Sequence, residues 1–199
     1  MRWITATPVH DSPAAGRTAI RGSYLHAVAT ALVLSAIATS GMARPAAPPI
    51  RLQRLDGAPV ASADLKGKVV LLDLWATWCA PCLAGLPRIA ELQARYVRRG
   101  LVVLGVALDD DRGKLDAYMA RHPSSFAAVV LPTRDFNTAY GRVLRLKEER
   151  IVAADKLINA NLPTWILIDR KGRIASIHKS SADEPKVIAE IEQMMKSGV

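Results

Sequence analysis

The sequence predicts an α/β domain, a central mixed β-sheet with helices on both faces and a β-hairpin extension at its N-terminal end. Three observations carry this. Val69-Val70-Leu71-Leu72-Asp73-Leu74-Trp75 has six apolar residues in seven, the composition of a strand covered on both faces. A helix-period pattern follows it, and a second apolar run at 101–108 follows that helix, which makes a parallel βαβ unit. Further on, residues 165–168 and 174–178 flank Asp169-Arg170-Lys171-Gly172, an antiparallel hairpin with a glycine in its loop.

Two stretches precede that domain. Residues 1–26 are polar, with Arg2, Arg17 and Arg21 against the single acid Asp11, and residues 27–43 carry no charge. The centre of the uncharged run is Ala31-Leu32-Val33-Leu34-Ser35-Ala36-Ile37, and it ends on the small residues Gly41 and Ala43. A positive region, an apolar core and a small-residue exit read as a secretory signal peptide. The alternative is a retained membrane anchor, but a spanning helix needs about 20 mostly apolar residues. This run is shorter and is diluted by Thr30, Ser35, Thr39 and Ser40, and no twin-arginine pair is present. Residues 44–49, Arg44-Pro45-Ala46-Ala47-Pro48-Pro49, read as a Pro/Ala linker with nothing to bury. Residues 50–199 then form one domain of ordinary size.

Within it, residues 50–55 alternate weakly as a strand, Asp56-Gly57 marks a turn, and 58–65 lead back toward the core. After the 69–75 strand, Leu83, Leu86, Ala90, Ala94 and Val97 fall near a 3.6 period, with Pro87 expected to kink the helix and Gly100 to stop it. The 101–108 strand closes on Asp109-Asp110-Asp111. A helix over 114–121 ends at His122-Pro123, a short extended piece occupies 126–131, and a helix covers 135–146. The last helix begins near Asp183-Glu184-Pro185 and buries Val187, Ile188, Ile191, Met194 and Met195.

Composition narrows the function. The chain is half apolar, so it can build a full core without disulfide staples, and its two cysteines are left for chemistry. The net charge of +9 falls to +7 without residues 1–43, which hold three Arg and one Asp. The remaining basic residues are scattered among acids, as in Arg145, Lys147, Glu148, Glu149 and Arg150. No aromatic-interleaved basic stretch appears, so nucleic-acid binding is not expected. The charge serves solubility and weak attraction to partners.

Those two cysteines are Cys79 and Cys82, in Trp78-Cys79-Ala80-Pro81-Cys82, where a buried strand hands over to a helix. A CxxC at that junction is a dithiol/disulfide redox site. The attacking species in exchange is a thiolate, and Cys79 at a helix N-terminus faces unpaired N–H groups and the positive end of the dipole, both favouring S⁻. Cys82, one turn deeper, can attack a mixed disulfide intramolecularly. Trp78 sits beside Cys79 and limits its access to solvent. A zinc site would want four ligands, and outside the leader only His122 and His178 are available. No metal or cofactor is therefore expected, because the sulfurs themselves carry the electrons. Asp73 is an acid within an apolar strand six residues before Cys79. Charged burial is costly, so it should be neutral or hydrogen-bonded, poised to accept the proton of Cys82. The bland reading is a strand residue on an uncovered face. Pro163, in Asn161-Leu162-Pro163-Thr164, precedes the strand at 165–168. With a cis Leu162–Pro163 bond, that loop would lie against the sulfurs and the backbone of Leu162 could pair with an extended substrate. His178 reads as an edge residue, Met194 and Met195 as core or helix end, and Arg95, Arg98 and Arg99 as a solvated helix end.

Together, LDGAPVASADLKGKVVLLDLWATWCAPC, Pro87 and NLPTWILIDRKGRIASIH resemble the thioredoxin superfamily, specifically its exported TlpA/ResA-like branch, over residues 50 to about 195. The resemblance implies a thioredoxin fold, Cys79 as nucleophile, Cys82 as resolving cysteine, a cis bond at Pro163 and Asp73 in the place of that family's buried aspartate. It implies a periplasmic location and exported protein thiols or disulfides as partners, among them apocytochrome c or copper-oxidase assembly proteins. A membrane disulfide reductase of the CcdA or DsbD type would supply electrons, and membrane contact would otherwise follow only from a retained leader. Ala-Pro between the cysteines is closer to thioredoxin's Gly-Pro than to the Pro-His of a strong oxidant, which favours the reducing direction. One departure stands out. The family reaches its cis-proline soon after the equivalent of Ala139-Tyr140-Gly141, whereas residues 142–159 intervene here as a charged, helix-prone insertion. That insertion is either a shaper of partner choice or a plain surface helix. Two other functions compete. A peroxiredoxin-type peroxidase needs Thr or Ser three residues before its cysteine and Pro four before that, but Ala76 and Leu72 stand there. A copper-binding assembly factor needs an added His or Met ligand near the CxxC, and none is evident.

Overall fold

The computed structural model describes residues 44–109, 111–123, 128–145 and 161–197. Residues 1–43, read as a leader, residues 126–127 of the expected extended piece and most of the expected 142–159 insertion lie outside the described residues. The described elements, in chain order, are β1 (Arg51–Arg54), β2 (Pro59–Ala61), β3 (Val69–Trp75), α1 (Ala80–Tyr96), β4 (Leu101–Ala107) and α2 (Arg112–Arg121). They continue with β5 (Val129–Pro132), α3 (Arg134–Val143), β6 (Thr164–Ile168), β7 (Ile174–His178) and α4 (Glu184–Ser197).

The seven strands form one mixed sheet in the order β2-β1-β5-β4-β3-β6-β7. β3 lies at its heart, parallel to β4 and antiparallel to β6, and all seven of its residues are buried. This is the architecture expected of a thioredoxin fold, with the β1–β2 hairpin added antiparallel to β5 at one edge. Strand alternation sorts the core into two faces. Val70, Leu72 and Leu74 pack with Phe136 and Tyr140 of α3. Val69 and Leu71 pack with Ile89 and Leu92 of α1 and with Val187 and Ile191 of α4. Asp73 shares the odd-numbered phase, so it belongs to the face that α1 and α4 cover.

Two details differ from expectation. The buried stripe of α1 is Leu86, Ile89, Leu92, Gln93 and Tyr96, while Ala94 is exposed and Val97 is 51% exposed. The helix ends at Tyr96 and a 3-10 turn follows, so Val97 falls out of phase. Gln93 is inside because its amide serves the sheet. Its Nε2 donates to the carbonyl of Leu101 at 3.2 Å, and its Oε1 accepts from the Val103 N–H at 2.6 Å. Residues 45–48 of the segment read as a Pro/Ala linker with nothing to bury make backbone bonds to the domain. Ala46 bridges to Arg173, the Ala47 N–H donates to Gly172 O at 2.9 Å, and the Ile174 N–H donates to Pro45 O at 2.9 Å. The Tyr140 hydroxyl donates to Pro48 O at 3.0 Å. Unpaired backbone groups beside β7 and a buried phenol both need partners, and this segment supplies them.

Candidate active site

β3 ends at Trp75, and a short loop carries the chain into α1 with Cys79 at the N-cap and Pro81 in the first turn. Proline suits that place, since its missing N–H would have no helical partner there. Cys79 and Cys82 are joined in a disulfide, with Cα atoms 5.3 Å apart. The Cys82 N–H points at Cys79 Sγ at 3.3 Å, in the way an N-cap side chain accepts from the first helical turn. The same N–H and the helix dipole would stabilise negative charge on that sulfur once the bond is reduced.

Both sulfurs are covered. Cys79 is 5% and Cys82 3% exposed, in a cluster with Trp75, Leu86, Leu115 and Val129. Trp78 itself turns outward and is 63% exposed, an apolar surface beside the dithiol rather than part of its cover. Leu162 packs against the cluster that holds both cysteines, and the Leu162–Pro163 peptide is cis. The structure therefore brings Trp78, Cys79, Cys82, Leu162 and Pro163 into one neighbourhood, though they are up to 85 residues apart in sequence.

Asp73 lies in β3, six residues before Cys79, paired across the sheet with Gly105 on one side and Trp165 on the other. It is 3% exposed, and burial pushes its carboxyl up from the ordinary 3.8 to about 7. The Trp165 indole opposes this rise and the charge of Glu184 adds to it. Trp165 Nε1 meets no acceptor within hydrogen-bond geometry among the described residues, so the indole acts on Asp73 as a dipole. A buried carboxyl pushed up to near neutrality can change its protonation state close to physiological pH.

Sequence reasoning missed Asp109, which it treated as a loop terminator. Its carboxylate accepts from the Thr77 N–H at 3.0 and 3.1 Å and from the Thr77 hydroxyl, fixing the loop two residues before Cys79. An acid run directly after a buried strand was the only signal. His178 stands at the end of β7, an edge strand of the sheet, as expected. Its side chain is 12% exposed and Nε2 lies 3.3 Å from Glu190 Oε1. Among the described residues no group of three or more His, Cys, Asp or Glu side chains is arranged to hold a metal ion.

The chain matches the family described as Redoxin over residues 41–194. The thiol-disulfide oxidoreductase ResA of Oceanobacillus iheyensis is 35% identical over 85 residues, 41% of this chain and 44% of that protein. ResA of Halalkalibacterium halodurans is 26% identical over 145 residues, 73% of this chain and 72% of that protein. Among solved structures, a protein assigned as thiol:disulfide interchange protein DsbE from Chlorobium tepidum is similar with a TM-score of 0.59 and 29% identity. That similarity covers 76% of this chain and 96% of the other.

Proposed function

The chain belongs to the redoxin family as a TlpA/ResA-like member of the thioredoxin superfamily, and on that premise we propose that it is an exported thiol–disulfide oxidoreductase that reduces protein disulfides through Cys79 and Cys82. The observation that carries this reading is the cysteine pair at the N-cap of α1, backed by a buried carboxyl that titrates near 7. In the reduced enzyme the Cys79 thiolate attacks one sulfur of a partner's disulfide. The partner's S–S bond breaks, a Cys79–partner bond forms, and the other partner sulfur leaves as a thiolate. Cys82 then attacks Cys79 Sγ, its proton passing to Asp73, and the second partner sulfur leaves as thiolate. The partner gains two electrons and the enzyme ends as the 79–82 disulfide. Trp78 and the backbone of Leu162, set by Pro163, receive the partner segment in extended form.

Residues 1–43 act as a signal peptide or membrane anchor, placing the domain in the periplasm. Its substrates are exported proteins whose cysteines must be reduced before a haem or copper site is assembled, as in cytochrome c maturation. A CcdA- or DsbD-type membrane reductase restores the dithiol. No cofactor takes part. The reduction potential of the 79–82 couple, measured in glutathione buffers, tests the direction. A value near thioredoxin's, about −270 mV, fits a reductant, and one near about −120 mV, as in a strong periplasmic oxidant, overturns it.

A further inference from the structure

Gly85 lies inside α1, three residues after Cys82, where glycine costs about 1 kcal/mol relative to alanine. It is buried, and a Cβ built there would stand 3.2 Å from Glu184 Oε2, tighter than an ordinary contact. A side chain at 85 would crowd that carboxylate. Glu184 opens α4, where an acid suits the helix dipole, yet its carboxylate turns against α1. Its side chain is 15% exposed, and Oε1 lies 3.0 Å from Arg88 Nε. That contact is ionic, outside hydrogen-bond geometry. Three residues on, Val187 packs in the cluster that holds Val69 and Leu71 of β3, so the start of α4 is seated on the face Asp73 shares.

From this arrangement we infer that Glu184 is a positioning residue for proton transfer at the dithiol: its carboxylate, admitted by Gly85 and anchored by Arg88, makes Asp73 a stronger acceptor for the proton of Cys82. The inference rests on the exchange reaction proposed above. A negative charge beside Asp73 disfavours a second one, so the proton released when Cys82 attacks Cys79 Sγ is held more firmly. The direction of the Asp73 shift includes that push from Glu184. Among the described residues, α1 sets Arg88 against the pair and β6 sets the Trp165 indole. At the start of α4, Asp183 is paired with Lys186 at 2.8 Å, and His178 Nε2 of β7 lies 3.3 Å from Glu190 Oε1.

The test is the titration of the Asp73 carboxyl carbon, followed by NMR in the oxidised full chain, together with the pH dependence of the resolving step. E184Q keeps the shape and removes the charge. Both profiles should move to lower pH by about half to one unit, so that proton uptake by Asp73 is weakened about 3- to 10-fold. R88M removes the counter-charge and should move both profiles the other way. G85A, which crowds the carboxylate, should fall between E184Q and the parent. Near-UV circular dichroism verifies that each variant is folded, and R88M keeps the question open to measurement if E184Q is not. An active parent whose Asp73 titration is unchanged in E184Q, or in R88M where E184Q does not fold, overturns the role of Glu184 alone. A parent without exchange activity removes the reaction itself, and with it that role.

Discussion

Replacing Asp73 by asparagine should stabilise the protein at alkaline pH and leave it nearly unchanged in acid. The carboxyl is moved by burial from 3.8 to about 7. Below pH 3.8 it is protonated in both folded and unfolded chains and contributes no pH dependence. Between 3.8 and about 7 the folded chain keeps a proton that the unfolded chain has released, so stability falls as pH rises, by about 1.4 kcal/mol per pH unit. Above about 7 both states are ionised and the full cost, about 4 kcal/mol, is reached. The amide of D73N carries no charge at any of these pH values, so it escapes that cost. Urea unfolding of the oxidised parent and of D73N at pH 4, 6 and 8 reads the difference. D73N should gain little at pH 4, about 2–3 kcal/mol at pH 6 and about 4 kcal/mol at pH 8. The gain should come with slower resolution by Cys82, a group kept for chemistry at a cost in stability. A difference between the two proteins that stays flat from pH 4 to 8 would refute the reasoning, because it would mean that Asp73 titrates alike in the folded and unfolded chains.

C82A should accumulate covalent complexes through Cys79, visible on non-reducing gels and released by dithiothreitol; no mixed disulfide with any exported thiol protein would count against the exchange mechanism. Q93L should cost about 3 kcal/mol in chemical denaturation, because it strands the Leu101 carbonyl and the Val103 N–H inside the protein at about 1–3 kcal/mol each. A loss below about 1 kcal/mol would show that β4 finds other partners.

Legibility in the sequence followed the range of the forces involved. β3 was plain because a strand buried on both faces has to be apolar throughout, and Asp73 stood out as the one residue breaking that rule. Cys79 and Cys82 were plain because a two-residue spacing across one helical turn is a local matter. The phase of α1 was harder to read. Its buried side depends on where the helix stops and on which sheet groups need Gln93, and neither appears in hydrophobicity alone. Asp109 was hidden because its partner, Thr77, is 32 residues away.

What the sequence by itself determined, then, is the order of elements, the dithiol at a strand-to-helix junction and the anomalous acid in the strand before it. All three follow from backbone period, capping and the cost of burying charge. Only the tertiary structure decided that residues 45–48 bond back to the domain and that Glu184 fills the space left by Gly85. Each of these joins groups separated by tens of residues. Chain closure and core packing select such pairings, and no local pattern of residues encodes them.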